Sequence, residues 1–336
     1  MLLSEKEAKA VCDKLLGYVQ GDDAEVNVRS SDDSHLRFAA NAVTTSGRRQ
    51  DVEVGVTVWI DQKKASASTN ELDEGSLQAA VAEAEALARV SPVDVEYVPT
   101  LSLQQYRPVE GYVEATTSIA LADRARAIGD VITACEKDQV VGAGFHQASG
   151  ALSAGATKRG NFYQHRASVV GLSVTARTPR GSGSGYFARN HFDAAKLDTA
   201  RIAREAIQKA LRSREPRTFG AGVYTVILEP QAVADLLDSF QRYLDARSAD
   251  EGRSPFSAPG NKTRLGERVF DERLNLYSDP WHPELPGSPA AQSGIPAQKV
   301  YLVRNGVVET LIYTRYWAKK KDKEPTPGPV NAILDS

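Results

Sequence analysis

Val52-Glu53-Val54-Gly55-Val56-Thr57-Val58-Trp59-Ile60 is the stretch that decides the fold. Its apolar residues alternate. Val52, Val54, Val56, Val58 and Ile60 fall on one side of a pleated strand, so that face is expected to be buried. Upstream, Ala24 to Arg29 alternates as a further strand. Before it, Ala8, Val11, Cys12, Leu15, Leu16 and Val19 recur at helical spacing over Glu5 to Val19. Downstream, Asp73 is placed to N-cap a helix running to about Arg89, with Leu77, Val81, Ala84 and Leu87 inward.

The same order then recurs. Ile119 to Cys135 reads as a helix carrying Leu121, Ala125, Ile128, Val131, Ile132 and Cys135. Strand-like stretches follow at Val140–Gln147 and Ser149–Thr157. The run Ser168 to Ala176 alternates through Val170, Leu172, Val174 and Ala176. Asp198 then caps a helix with Ile202, Ala206, Ile207, Ala210 and Leu211. Val54-Gly55-Val56-Thr57-Val58 answers Val170-Gly171-Leu172-Ser173-Val174, and Leu72-Asp73 answers Leu197-Asp198. We read two copies of a helix–strands–helix unit, a duplication.

The predicted class is α+β. A unit at 1–98 is joined by the proline-bearing linker Pro99–Glu114 to a unit at 115–215. A β-rich C-terminal domain follows at 218–336. It opens on a strand, Val223–Leu228, and a helix from near Gln231 with Val233, Leu236, Leu237, Phe240 and Leu244 on one face. Glu251–Leu265 reads as an exposed loop, and Pro280–Pro296 as irregular chain. Asn305-Gly306 marks a tight hairpin between Lys299–Arg304 and Val307–Thr314. Ala332-Ile333-Leu334 reads as an apolar strand without continuation. A strand cut off there is expected to leave an unpaired edge, with apolar surface near Val307–Thr314.

Composition narrows the function. The 336 residues exceed the roughly 100–200 of one domain. Apolar residues are 41% and charged residues 25%, which is globular. No run approaches the ~18 apolar residues of a membrane span. The first residues turn charged at once, unlike a signal peptide. Cys12 and Cys135 are too few for a disulfide framework. A net charge of -2 gives no reason to expect direct nucleic-acid binding. A cytoplasmic protein is expected, with no membrane partner.

The chemistry-bearing residues are sparse. His35, His146, His165, His191 and His282 are scattered, so no helix carries a metal-binding pair on one face. His282, in the proline-rich run Asp279-Pro280-Trp281-His282-Pro283, is the one singled out as site-lining. Gly181-Ser182-Gly183-Ser184-Gly185 spells a nucleophile elbow but lies between strands with no helix to follow. Gly142 and Gly144 lack the third glycine of a dinucleotide fingerprint. Lys319-Lys320-Lys321-Asp322-Lys323 reads as a solvated helix end. Asp235, Asp238 and Asp245 lie near one another, with solvent exposure expected. No catalytic residue is assigned.

With Arg37-Phe38-Ala39-Ala40-Asn41-Ala42-Val43, the Gly55 strand, Arg217-Thr218-Phe219-Gly220-Ala221-Gly222-Val223, Gly252-Arg253-Ser254-Pro255-Phe256-Ser257, Gly294-Ile295-Pro296 and Arg304-Asn305-Gly306-Val307 taken in order, the chain resembles the TldD/PmbA family, also called modulators of DNA gyrase. The resemblance implies a metallopeptidase relationship. The TldD type carries His-Glu-x-x-x-His on a helix, with a further Cys zinc ligand. In this chain the corresponding helix reads Asp238, Ser239 and Tyr243 at the His, Glu and His positions. Tyr243 is a poor replacement for imidazole, and Ser239 cannot serve as a general base at neutral pH. The chain thus looks like the TldE/PmbA type, which lacks the metal site. The family's usual acidic pair before Gly294 is replaced by Ala290-Ala291-Gln292-Ser293, and family chains usually continue well past this point, so the resemblance implies that the C-terminal domain is truncated here. The resemblance implies a non-catalytic subunit that has no cofactor of its own. Its partner is a zinc-bearing TldD-type subunit, or a second copy of itself, and unfolded peptide is the substrate. The alternatives are a peptidase with an unconventional site, using Asp238 and His282, and a homo-oligomeric peptide-binding protein.

Overall fold

The computed structural model describes residues 2–335. The first unit comprises helix α1 (Glu5–Tyr18), strands β1 (Asp23–Ala39), β2 (Ala42–Ile60) and β3 (Lys63–Thr69), and helix α2 (Glu74–Val90). A single turn, α3 (Glu114–Thr117), precedes the second: α4 (Leu121–Lys137), β4 (Val141–Thr157), β5 (Phe162–Arg177), β6 (Ser184–His191) and α5 (Thr199–Arg212). All six strands form one antiparallel sheet in the order β3-β2-β1-β4-β5-β6.

The two units meet at the centre, where β1 pairs with β4 from Glu25↔Thr157 to Phe38↔Gly144. Gly55 lies in β2, opposite Asn27 and Ser68. Gly171 lies in β5, opposite Gln147 and Asn190. Each strand is the middle one of its half, as a duplication requires. The strands are longer than the apolar alternation alone marks. Ala40 and Asn41 both take positive φ, 50° and 58°, and turn β1 directly into β2. The stretches at 140–147 and 149–157 are one strand, β4. β3 begins Lys63-Lys64-Ala65-Ser66 and carries no apolar alternation to announce it.

Even-numbered positions of β1, β2, β4 and β5 face the helices. Val26, Val28, Val54, Val56, Val58, Leu152, Ala154 and Ala156 pack with α1 and α2 in one cluster. Leu36, Phe38, Leu172, Val174 and Ala176 pack with α4 and α5 in another. Between the clusters the same face turns polar, at Ser30, Asp32, Ser34 and His146. Inward assignments on two helices are corrected. Leu87 is exposed, because α2 buries Leu77, Val81, Ala84, Glu85 and Ala88 instead. Leu121 and Ala125 are exposed, because the buried stripe of α4 is Arg124, Ile128, Val131 and Cys135.

Part of the opposite face of the sheet, around Glu25, Trp59 and Tyr163, lies against the linker and the C-terminal region, while Val43, Val141 and Phe145 remain exposed. Asp23, buried at the start of β1, accepts hydrogen bonds from the Thr100 amide at 2.6 Å and the Thr100 hydroxyl at 2.7 Å. Asp23→Ala leaves both donors unpaired in a dry setting. It should lower unfolding free energy by about 2 kcal/mol and speed hydrogen exchange at the Thr100 amide; unchanged protection of that amide would contradict the clasp.

The C-terminal region comprises α6 (Pro230–Gln241), α7 (Ala246–Asp250), β7 (Ser257–Ala258), β8 (Lys262–Thr263), β9 (Asn275–Ser278), β10 (Val300–Arg304), β11 (Val307–Val308), α8 (Arg315–Lys320) and β12 (Ile333–Asp335). Its sheet runs β11-β10-β9-β12. Leu244, Phe256, Leu276, Leu302, Val308 and Trp317 fill its core. The Asn305-Gly306 turn is present, with φ of 49° and 75°.

Three expectations fail here. The chain after Val308 leaves the ladder, and Val308, Leu311 and Tyr313 are buried, so among the described residues Val307–Thr314 presents no exposed large apolar side chain. The final apolar stretch is not unpaired: β12 hydrogen-bonds to β9 at Ile333↔Tyr277. Val223–Leu228 forms no strand. It has no regular secondary structure and pairs with no strand among the described residues, with Val223 103% and Ile227 96% exposed. Apolar alternation supplies strand propensity, but a strand also needs an edge to join.

Candidate functional site

Helix α6 starts at Pro230, whose missing amide suits the first helical turn. Leu237 and Phe240 hold it on the C-terminal core, with the Phe240 ring 5.5 Å from Phe256 and 5.6 Å from Phe270. Leu236, read as inward, is exposed. Asp238 and Ser239 occupy the exposed side. Asp238 accepts from the Arg242 guanidinium at 3.2 Å. The helix tightens to a 3₁₀ turn at Arg242–Leu244. Tyr243 therefore does not continue the α-helical register of Asp238; it is exposed, and its carbonyl accepts from the Ser254 hydroxyl at 2.6 Å. Asp245 is occupied in capping α7, accepting from the Ser248 amide at 2.7 Å.

These residues do not fit zinc. One carboxylate, already paired with arginine, a serine hydroxyl and a phenol outside the helical register are not the N, S or carboxylate set that holds the ion. Among the described residues no group of three His, Cys, Asp or Glu side chains is arranged to hold a metal.

His282 sits elsewhere, in the turn Asp279–Glu284. Its Nδ1 accepts from the Glu284 amide at 3.3 Å. It lines a cavity of about 520 Å³ with Arg107, Tyr112, Phe192 and Trp281. Arg107 stacks over the Trp281 ring at 4.3 Å, and the Trp281 indole donates to the Pro108 carbonyl at 3.0 Å. No recorded contact joins His282 to Asp238 among the described residues.

A second cleft, about 300 Å³, opens between the sheet and the Gly294 loop. Odd-numbered Glu25, Trp59 and Tyr163 form its floor, and Tyr106, Gly294 and Arg315 its walls. The Tyr106 hydroxyl donates to the Gly294 carbonyl at 2.7 Å, and its ring lies 5.1 Å from that of Tyr163. Ser293 and Gly294 both take positive φ, 54° and 69°, which brings the loop close to these rings. Burial pushes the Tyr106 phenol up to about 12, and that of Tyr163 higher still. Both are therefore neutral at pH 7, hydrogen-bonding groups rather than nucleophiles. The cleft can hold side chains or backbone, and Glu25, Asp94 and Glu96 place carboxylates in its lining beside the two neutral phenols. Sequence reasoning marked Gly294 but missed Tyr106 and Tyr163, which come from the linker and from a second strand and share no motif.

Two family models match: the PmbA/TldA metallopeptidase domain 1 over residues 24–88 and the PmbA/TldA metallopeptidase C-terminal domain over residues 221–331. Together they span just over half of the chain. A metalloprotease of Archaeoglobus fulgidus is 37% identical over 59 residues, which is 18% of this chain and only 14% of that protein. Among solved structures, a modulator of DNA gyrase from Thermotoga maritima superposes with TM-score 0.86 at 19% identity, over 97% of this chain and 77% of its own. TldE from Thermococcus kodakarensis gives 0.80 at 19%, over 98% and 77%. A modulator of DNA gyrase from Bacteroides thetaiotaomicron gives 0.82 at 18%, over 100% and 78%. The mixed sheet-and-helix fold is thus the one these three solved structures share. The chain belongs to the PmbA/TldD family.

Proposed function

We propose that this chain is a non-catalytic, TldE/PmbA-like subunit of a TldD/TldE-type metallopeptidase that processes unfolded peptides in the cytoplasm. The observation that carries the reading is the end of helix α6 and the 3₁₀ turn after it, where Asp238, Ser239 and Tyr243 stand at the motif positions and offer neither ligand set nor base. Zinc then belongs to a TldD-type partner. In this reading 1–98 and 115–215 form the scaffold, and 218–336 carries the degenerate helix. The exposed apolar segment from Phe219 to Leu228 supports a partner surface, since a strand-competent run in water is a docking element for another chain. Among the described residues no helix is long and apolar enough to cross a membrane.

The test is co-expression with a chain carrying His-Glu-x-x-x-His. The two should co-elute, and the pair should cleave an unstructured peptide in a zinc-dependent way while this chain alone does not. Stoichiometric zinc in the isolated chain, lost in Asp238→Ala, would falsify the reading. Hydrolysis by the isolated chain that is abolished in His282→Ala would favour the unconventional site. Stable self-association with peptide binding and no partner would favour the homo-oligomeric binder.

A further inference from the structure

Arg124 is 6% exposed, yet no side chain or backbone group among the described residues hydrogen-bonds or ion-pairs with it. Its Nε and one Nη are buried with no partner. A guanidinium out of water without an acceptor is costly, and buried charges in folded proteins are matched by a partner. The groups around it do not supply one. Arg48, whose charge acts on Arg124, is a cation already bound to Asp32. Asp123, in the next position, pairs with Arg126 at 2.9 Å. His146, on β4, is neutral at pH 7.

Arg124 lines a cavity of about 500 Å³ at the midline of the sheet, between the two helix pairs. Ser34, Ser46, Arg48 and the first residues of α4 complete the wall. That helix has 17 residues, and its N-cap, Ala120, makes no side-chain hydrogen bond. The amides of Leu121 and Ala122 have no acceptor within the helix, and the helix dipole adds positive potential there. The duplication sharpens the contrast. The offset that carries Gly55 to Gly171 carries Ser4 to Ala120 and Ala8 to Arg124. In the first copy Ser4 caps α1 through a capping box, and Ala8 is a buried methyl. In the second copy the cap is missing and a cation stands beneath it.

We infer that this cavity is a binding site for a small oxyanion, a phosphate or carboxylate group, held by Arg124 and the uncapped amides of α4. One uncompensated guanidinium plus open helix amides is the donor set that recognises such a group. The volume exceeds that of phosphate alone, so a small organic phosphate or carboxylate fits. The site is on the helix-covered side of the sheet, away from the Gly294 cleft, and does not depend on the peptidase reading.

The test is a titration of the full chain with inorganic phosphate and, separately, acetate, against chloride at equal ionic strength. Melting temperature and calorimetry are the readouts. Phosphate, acetate or both should bind saturably at one per chain and raise the melting temperature where chloride does not. The better of the two identifies the ligand's headgroup. Arg124→Met should weaken binding about tenfold or more. Ala120→Asp, at an exposed position that leaves the core intact, puts a carboxylate in the cap. It should abolish the anion response and raise the melting temperature of the unliganded chain. An effect of phosphate and acetate no greater than that of chloride, or a response that survives in Ala120→Asp, overturns the assignment.

Discussion

Phe38→Ala should lower the unfolding free energy by about 3–5 kcal/mol, the range for emptying a buried phenylalanine site. Phe38 is 1% exposed. It belongs to β1, a strand of the first unit, but packs in the cluster of the second, with Leu36, Ile128 and Leu172. The opposing residue on β4 is Gly144, where an added Cβ would lie 2.5 Å from the Phe38 ring. The ring thus fills space that Gly144 leaves open. Chemical denaturation should show a shifted midpoint with an unchanged slope. A loss under about 1 kcal/mol would mean that the site collapses around the smaller residue.

Acidification should destabilise the chain through His146 by about 3 kcal/mol between pH 6.5 and pH 4. Burial, with Arg124 adding repulsion, drops this imidazole to about 4. The sign follows directly. The unfolded chain takes up the proton near pH 6.5, and the folded chain only near 4. Stability due to the neutral ring is complete above 6.5, falls through the interval and levels off below 4. His146→Gln removes the titrating group and should flatten this part of the profile. If stability from pH 6.5 to 4 falls equally in wild type and variant, other groups govern it.

How far the sequence could be read depended on whether a residue's partners were local. The Val52–Ile60 alternation and the Asp73 and Asp198 caps are local signals, and both strand and caps are present. Asn305-Gly306 worked for the same reason. The union of both units in one sheet was not legible, because β1–β4 pairing joins residues far apart in the chain and leaves no mark in either strand. Val223–Leu228 shows the reverse error, a good pattern without an edge to join. At α6 the substitutions at 238, 239 and 243 were legible through the family resemblance, but the 3₁₀ turn that moves Tyr243 out of register was not. Arg124 was hidden by its charge. Its spacing to Ile128, Val131 and Cys135 marks the buried stripe of α4, and only the assumption that arginine faces water concealed it.

The β1–β4 seam also sets an order of events during folding. The pairs β1–β2, β2–β3, β4–β5 and β5–β6 are neighbours in the chain, joined by tight turns or short connections, and can zip early. The seam from Glu25↔Thr157 to Phe38↔Gly144 must wait for closure of a loop that contains the first helix pair's second member, the linker and α4. Its high sequence separation makes it the slow, entropically costly step. Until it closes, each half-sheet presents a long bare strand that another chain can join. Crowding of nascent copies at that stage should therefore favour exchanged, strand-swapped pairs over correctly closed single chains.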